Sequence, residues 1–155
     1  MPPGFHTLTP YLSIERGAEA LDFYCKAFGA KELVRQTTPD GKILHGRLRI
    51  GNSILMLSDV YPRATTAAPT TAGTTTVTIH LYCRDADAMW KRAVAAGAKV
   101  AMPIDDMFWG ERYGQLVDPF GHHWSISQRI KMSKAEMAEK QRAAMAMFAR
   151  DEHPG

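Results

Sequence analysis

Apolar residues recur at helical spacing in two stretches of this chain, and around each stretch they fall into short alternating runs. Residues 18–28 set Ala20, Leu21, Tyr24 and Phe28 along one side of a helix that Gly29 stops. Residues 8–14 before it read as a strand. Residues 32–36, 42–50 and 53–58 after it read as three more, parted by the turns Thr38-Pro39-Asp40-Gly41 and Gly51-Asn52. Residues 61–75 hold Pro, Ala, Thr and Gly with almost no charge, which predicts a solvated linker. The order then begins again: a strand at 77–83, a helix at 86–96, a stop at Gly97, short strands at 100–103 and 114–117, and a last strand at 122–128.

The two helices can be laid over one another. Residues 20–31, ALDFYCKAFGAK, match residues 88–99, AMWKRAVAAGAK, in their first residue and in the closing Gly-Ala-Lys. Gly29 and Gly97 therefore set an offset of 68 residues. An internal repeat of this kind predicts an α+β protein of two tandem βαβββ modules, residues 7–60 and 76–130, within one domain of residues 1–130. The tail, residues 131–155, differs. Ser133-Lys-Ala-Glu136 is a capping-box pattern, and Met137, Ala138, Ala144, Met145 and Phe148 stripe the helix it would start.

Composition narrows the function classes. At 155 residues, 45% hydrophobic and 23% charged, the chain can bury an ordinary core. Its net charge of +3 is scattered rather than gathered into a stripe, which argues against a nucleic-acid partner. No run of 18 apolar residues and no leader-like segment occurs, so neither membrane spanning nor export is expected, and the cytoplasm is the default. Cys25 and Cys83 lack any zinc or redox spacing and read as buried free thiols.

Tyr11-Leu-Ser-Ile14, Ala20-Leu-Asp-Phe-Tyr24 and Phe28-Gly-Ala-Lys31 resemble the opening of vicinal oxygen chelate proteins, the glyoxalase, bleomycin-resistance and dioxygenase family. Trp109-Gly-Glu-Arg-Tyr-Gly-Gln115, Asp118-Pro-Phe-Gly121 and Trp124-Ser-Ile126 resemble its closing segment, most closely in the PhnB-like subgroup. The resemblance implies that each module curls into a half-open barrel, with a cavity often built between two subunits. It also implies a divalent metal held by one side chain from the first and last strand of each module. Those four positions fall on Thr9, Met56 (Leu55 if the register slips), Thr78 and Ser125. None is a customary ligand for Fe, Ni, Zn or Mn, so a site without metal or other cofactor is expected.

Other residues supply candidate chemistry. Strand alternation puts His80 on the face of Thr78 and His123 on the face of Ser125, with His122 outside. If Thr78 and Ser125 are level, the two histidines lie about 13 Å apart along the strands, too far for one metal. His6 and His45 need a bulge or register change to join them. His80, His123 and Glu111 are the catalytic candidates, since imidazole titrates near neutrality and Glu111 can act as a base if it turns inward. Trp109, Arg112 and Tyr113 read as loop residues that stack on a flat ligand and pair with its anion. The alternative is that Trp109 plugs the cavity mouth and Arg112 pairs with Asp105, Asp106 or Glu111. With Tyr11, Thr9, Met56, Thr78 and Ser125 they form the expected lining of a small-molecule cavity. An enzyme of the lyase, isomerase or dioxygenase type, or an interaction protein with a vestigial cavity, are the other readings. A homodimer is expected, with the tail covering the partner.

Overall fold

The computed structural model describes residues 1–151. The first module runs β1 (Tyr11–Ile14), α1 (Gly17–Phe28), β2 (Lys31–Thr37), β3 (Ile43–Ile50) and β4 (Ser53–Asp59). A short helix α2 (Pro69–Ala72) follows. The second module runs β5 (Thr78–Tyr82), α3 (Ala86–Ala96), β6 (Lys99–Met107), β7 (Glu111–Val117) and β8 (His123–Arg129), and α4 (Lys134–Asp151) ends the chain. Each module forms its own open sheet, in the orders β1-β4-β3-β2 and β5-β8-β7-β6. β1 pairs with β4, and β5 with β8, in parallel; the other pairings are antiparallel. The α+β architecture is thus the expected one, two βαβββ modules from the repeat and a C-terminal helix from the capping box.

One aromatic core joins the modules. Phe23, Tyr24 and Phe28 of α1 pack with Phe120 and Trp124, the rings of Phe28 and Trp124 lying 4.4 Å apart. At its centre the buried Asp118 carboxylate accepts from Tyr24 Oη at 2.6 Å and Trp124 Nε1 at 2.9 Å through one oxygen. Its other oxygen accepts from the amides of Phe120 and His122, both at 2.9 Å. Burial and the neighbouring Asp118 carboxylate push the Tyr24 phenol well above its ordinary pKa, so it stays a donor. The module boundary carries further bonds: Arg92 of α3 caps the carbonyls of Cys25 and Lys26, and Arg16 reaches the Pro119 carbonyl.

Four expectations about local structure are corrected. β1 begins at Tyr11 rather than residue 8, because Pro10 has no amide to give a ladder; Leu8 stays 88% exposed. Residues 61–75 are docked rather than free. Pro69 sets the first turn of α2, Ala68 and Pro69 are buried, and a Cβ on Gly121 would meet Pro69 at 2.8 Å. β6 and β7 are far longer than the short strands expected, and join through a three-residue turn closed by the Gly110 amide on the Met107 carbonyl. Gly110 takes φ 87°, as such a turn requires. Finally, Cys25 and Cys83 are only half-buried, although both are free thiols.

Candidate functional site

Alternation along each strand decides which side chains reach the sheet face that no helix covers. A Cβ on Gly46 would meet Leu21 of α1 at 3.1 Å, so Gly46 and Leu48 face the helix. His45, Arg47 and Arg49 therefore face the open side. In the second module a Cβ on Gly114 would meet the Trp90 ring at 2.5 Å, which turns Arg112, Gly114 and Leu116 toward α3. Glu111, Tyr113 and Gln115 are left on the open side. The two glycines are 68 positions apart and do the same work, bringing a helix close onto a central strand.

The open face of the second sheet is a connected polar and aromatic cluster. His80 Nδ1 lies 2.6 Å from Ser125 Oγ, and its ring stands edge-on to Tyr82 at 4.5 Å and stacks toward Tyr113 at 5.9 Å. Glu111 does turn onto this face, where it accepts from Ser127 Oγ at 2.7 Å, Tyr82 Oη at 2.9 Å and Trp109 Nε1 at 3.0 Å. Gln115 donates to Tyr113 Oη at 2.9 Å. Trp109 packs edge-on to Tyr113 at 5.3 Å and remains 44% exposed.

Burial alone would raise the Glu111 carboxyl. The bonds from Ser127, Tyr82 and Trp109, with the nearby His80, outweigh it and hold the group below its ordinary value of 4.5. Because the folded value is the lower one, the contribution of this carboxylate to stability is complete above pH 4.5 and is lost as pH falls through the depressed value. Acid titration followed by Trp109 emission should show a local change below pH 4.5 that Glu111→Gln abolishes. A change of equal size in Glu111→Gln would detach Trp109 from this carboxylate.

Arg112 does not share the face of Trp109 and Tyr113. It lies in β7 rather than a loop and turns to the helix side. There its Nε sits 2.9 and 3.0 Å from the two oxygens of Asp87, and a terminal nitrogen 3.0 Å from Asp106. These two carboxylates raise its pKa further above the ordinary value. Asp106 was among the partners that the sequence offered; Asp105 and Glu111 are not used. His122 is also placed differently from expectation. It is nearly buried between the modules, where Nε2 donates to the Ser13 carbonyl at 3.1 Å.

Register moves the level pairs as well. His80 stands opposite Ser125, and Thr78 opposite His123. The two histidines are therefore offset by two residues, roughly 7 Å along the strands, not four. In the first sheet Met56 stands opposite Tyr11 and Arg47, while Thr9 lies before the strand and donates to the His6 carbonyl at 3.0 Å. Tyr11 Oη lies 3.2 Å from His45 Nδ1, so His45 joins the first sheet's face and not the histidines of the second. A thioether and two hydroxyls in these strands do not suit the divalent metal that the resemblance implies, and among the described residues no three His, Cys, Asp or Glu side chains converge.

Tyr82, Ser127 and Gln115 belong to the cluster and were not singled out from sequence. Each lies two positions from a residue that was: His80, Ser125 and Tyr113. Between the modules, beside the edge of β5, opens a groove of about 710 Å³. Its walls include Phe28, Ile54, Leu55 and Trp124, and it reaches His80 and Tyr82.

Comparison with known proteins agrees with this architecture. The model of the Glyoxalase/Bleomycin resistance protein/Dioxygenase superfamily matches residues 6–126. The uncharacterized protein Rv0887c of Mycobacterium tuberculosis is 47% identical over 127 residues, covering 80% of this chain and 75% of that protein. Two solved structures share the fold. The PhnB protein from Bacillus cereus superposes with a TM-score of 0.63 at 18% identity, over 79% of this chain and 99% of its own. TnmS3, an antibiotic binding protein from Streptomyces sp. CB03234, superposes with a TM-score of 0.59 at 22% identity, over 80% of this chain and 95% of its own. A family model spanning both modules and a relative identical at nearly half of the 127 aligned residues place this chain in the glyoxalase/bleomycin resistance protein/dioxygenase superfamily.

Proposed function

We propose that this protein binds a small, flat molecule on the open faces of its sheets, without a metal, in a cavity that a second copy completes. The observation that carries this reading is the second sheet's cluster. Trp109, Tyr113, Tyr82 and His80 present rings on a face that no helix covers among the described residues, and Glu111 holds two of them in place. Rings that are both exposed and fixed bind with little ordering cost. The fold houses antibiotic binding in TnmS3, but fold likeness alone assigns no ligand, so the weight rests on these side chains. Glu111, with three donors and a lowered pKa, acts here as the group that positions Trp109 and Tyr82 rather than as a base.

Assembly belongs to the same reading. Among the described residues β1 and β5 each keep one edge unpaired, and Tyr11 and Tyr82 stand exposed beside those edges. α1 and α3 pack against each other, each with its own sheet behind it, so one chain offers two separated half-sites. The cytoplasm suits two free thiols, and no helix among the described residues is long and apolar enough to cross a membrane. A second reading has one observation in its favour. Ser125 fixes the His80 ring through Nδ1, which leaves Nε2 to move a proton on a bound molecule.

Binding and metal content test the proposal together. Elemental analysis should find well below one Fe, Ni, Zn or Mn per chain, and a single tightly held metal would overturn the metal-free reading. In titrations with planar aromatic compounds, Trp109→Ala should weaken binding about tenfold at an unchanged melting temperature. Arg112→Ala should do the reverse, leaving binding intact while costing about 0.5–1 kcal/mol of stability through its half-exposed ion pairs.

A further inference from the structure

The first sheet's open face differs from the second in charge. His45, Arg47 and Arg49 project from β3, Tyr11 and Met56 lie level with Arg47, and no carboxylate from the strands shares this face among the described residues. Arg47, like Arg49 beside it, forms no ion pair among the described residues. Its Nε is shielded from solvent and has no hydrogen-bond partner among the described residues. A guanidinium keeps its charge, so Arg47 holds donors that no acceptor of the described residues takes up through Nε. Above it sits the ring of Phe5, 4.9 Å from the guanidinium carbon.

The repeat shows that the fold does not demand a cation there. Arg47 and Gln115 occupy equivalent positions, 68 residues apart, and Gln115 is neutral with its amide bonded to Tyr113. The basic group has been placed on one half only.

We infer that Arg47 is the anion-recognising residue of the cavity. It takes the carboxylate or sulfonate of an aromatic ligand whose ring lies where Phe5 now stacks. This role was expected of Arg112, which its two carboxylates already occupy. The inference rests on the small-molecule reading above and names the ligand class: an aromatic acid. Planar anions suit a guanidinium because two parallel N–H donors match two oxygens, and a ring stacks on its face.

Two fluorescent probes of like shape separate the anion from the ring: 8-anilinonaphthalene-1-sulfonate, and N-phenyl-1-naphthylamine, which lacks the sulfonate. The intact protein should bind the sulfonate about tenfold more tightly than the amine, the size of one charge-assisted hydrogen bond. Arg47→Gln should remove that preference and leave the amine within about twofold of wild type. Arg47→Lys, which keeps the charge but not the planar fork, should fall between. Far-ultraviolet circular dichroism of each variant checks the fold. Equal affinities for the two probes in wild type, or a preference that survives Arg47→Gln, would overturn the role of Arg47 while leaving the cavity reading standing. An equal loss of both probes in Arg47→Gln would overturn that role too. Failure of wild type to bind either probe would sink both.

Discussion

Asp118→Ala should lower the melting temperature by roughly 8–16 °C. The substitution strips the acceptor from four donors at once: the Tyr24 hydroxyl, the Trp124 indole and the amides of Phe120 and His122. Each donor left buried without a partner costs about 1–3 kcal/mol. Because the four share one carboxylate the costs do not add fully, and a net loss of about 4 kcal/mol is expected. For a domain of this size that converts to about 2–4 °C for each kcal/mol. Asp118→Asn keeps one acceptor oxygen but points an NH₂ at the remaining donors, so it should lie between wild type and Ala. Tyr24→Phe removes one donor together with its need, and should cost only about 1 kcal/mol. Thermal unfolding of the three variants gives the ranking. A loss below about 1 kcal/mol in Asp118→Ala would mean that water or a rearranged core replaces the carboxylate.

Removal of the tail should shift the protein from dimer toward monomer. α4 starts on the capping box predicted from Ser133 and Glu136, with the reciprocal bonds at 3.0 and 3.1 Å. No residue of it is buried, Met145, Met147 and Phe148 are half or more exposed, and Met137 Sδ would lie 3.6 Å from a Cβ on Gly110. A helix of 18 residues with its stripe in water is marginal alone. Covering Met145 and Phe148 of that stripe with a second copy would contribute roughly 1.5–3 kcal/mol each at the upper limit, enough for a change in dimer affinity of well over tenfold. A truncation ending at Lys131 keeps β8 whole, together with the bond from the Ile130 amide to the Gly110 carbonyl. In sedimentation, full-length protein should run as a dimer at concentrations where the truncation runs as a monomer. Identical behaviour of the two chains would remove the tail from assembly.

The parts of this molecule that could be read from sequence are those set by local rules. Helix stops at Gly29 and Gly97, the repeated Gly-Ala-Lys and the capping box lie within a few residues of what they control, and the βαβββ repeat followed from them. Strand alternation likewise put His80 and Ser125 on one face. The errors arise where distant contacts decide. Pro103 and Gly110 look like breakers, yet β6 absorbs the proline through register shifts and the glycine makes a hairpin turn. With 104–113 read as a loop, alternation cannot separate Arg112 from Trp109 and Tyr113. Parallel register is set by backbone bonds between β5 and β8, so counting from Asp118 and from the strand ending at Cys83 puts Thr78 level with Ser125, two residues from the true pair. Arg47 is not legible as a site from sequence because the shielding of its Nε and the ring of Phe5 above it are set by the folded chain.

The bond from Tyr24 to Asp118 spans 94 positions of the chain. During synthesis at about 5–20 residues per second, α1 leaves the ribosome several seconds before its central acceptor is made. Phe23, Tyr24 and Phe28 must wait through that interval for the rings of Phe120 and Trp124 that pack against them. The first half is therefore a copy of the second in pattern but not a unit that can finish alone. Its nascent form is the stage most exposed to chaperones and to aggregation.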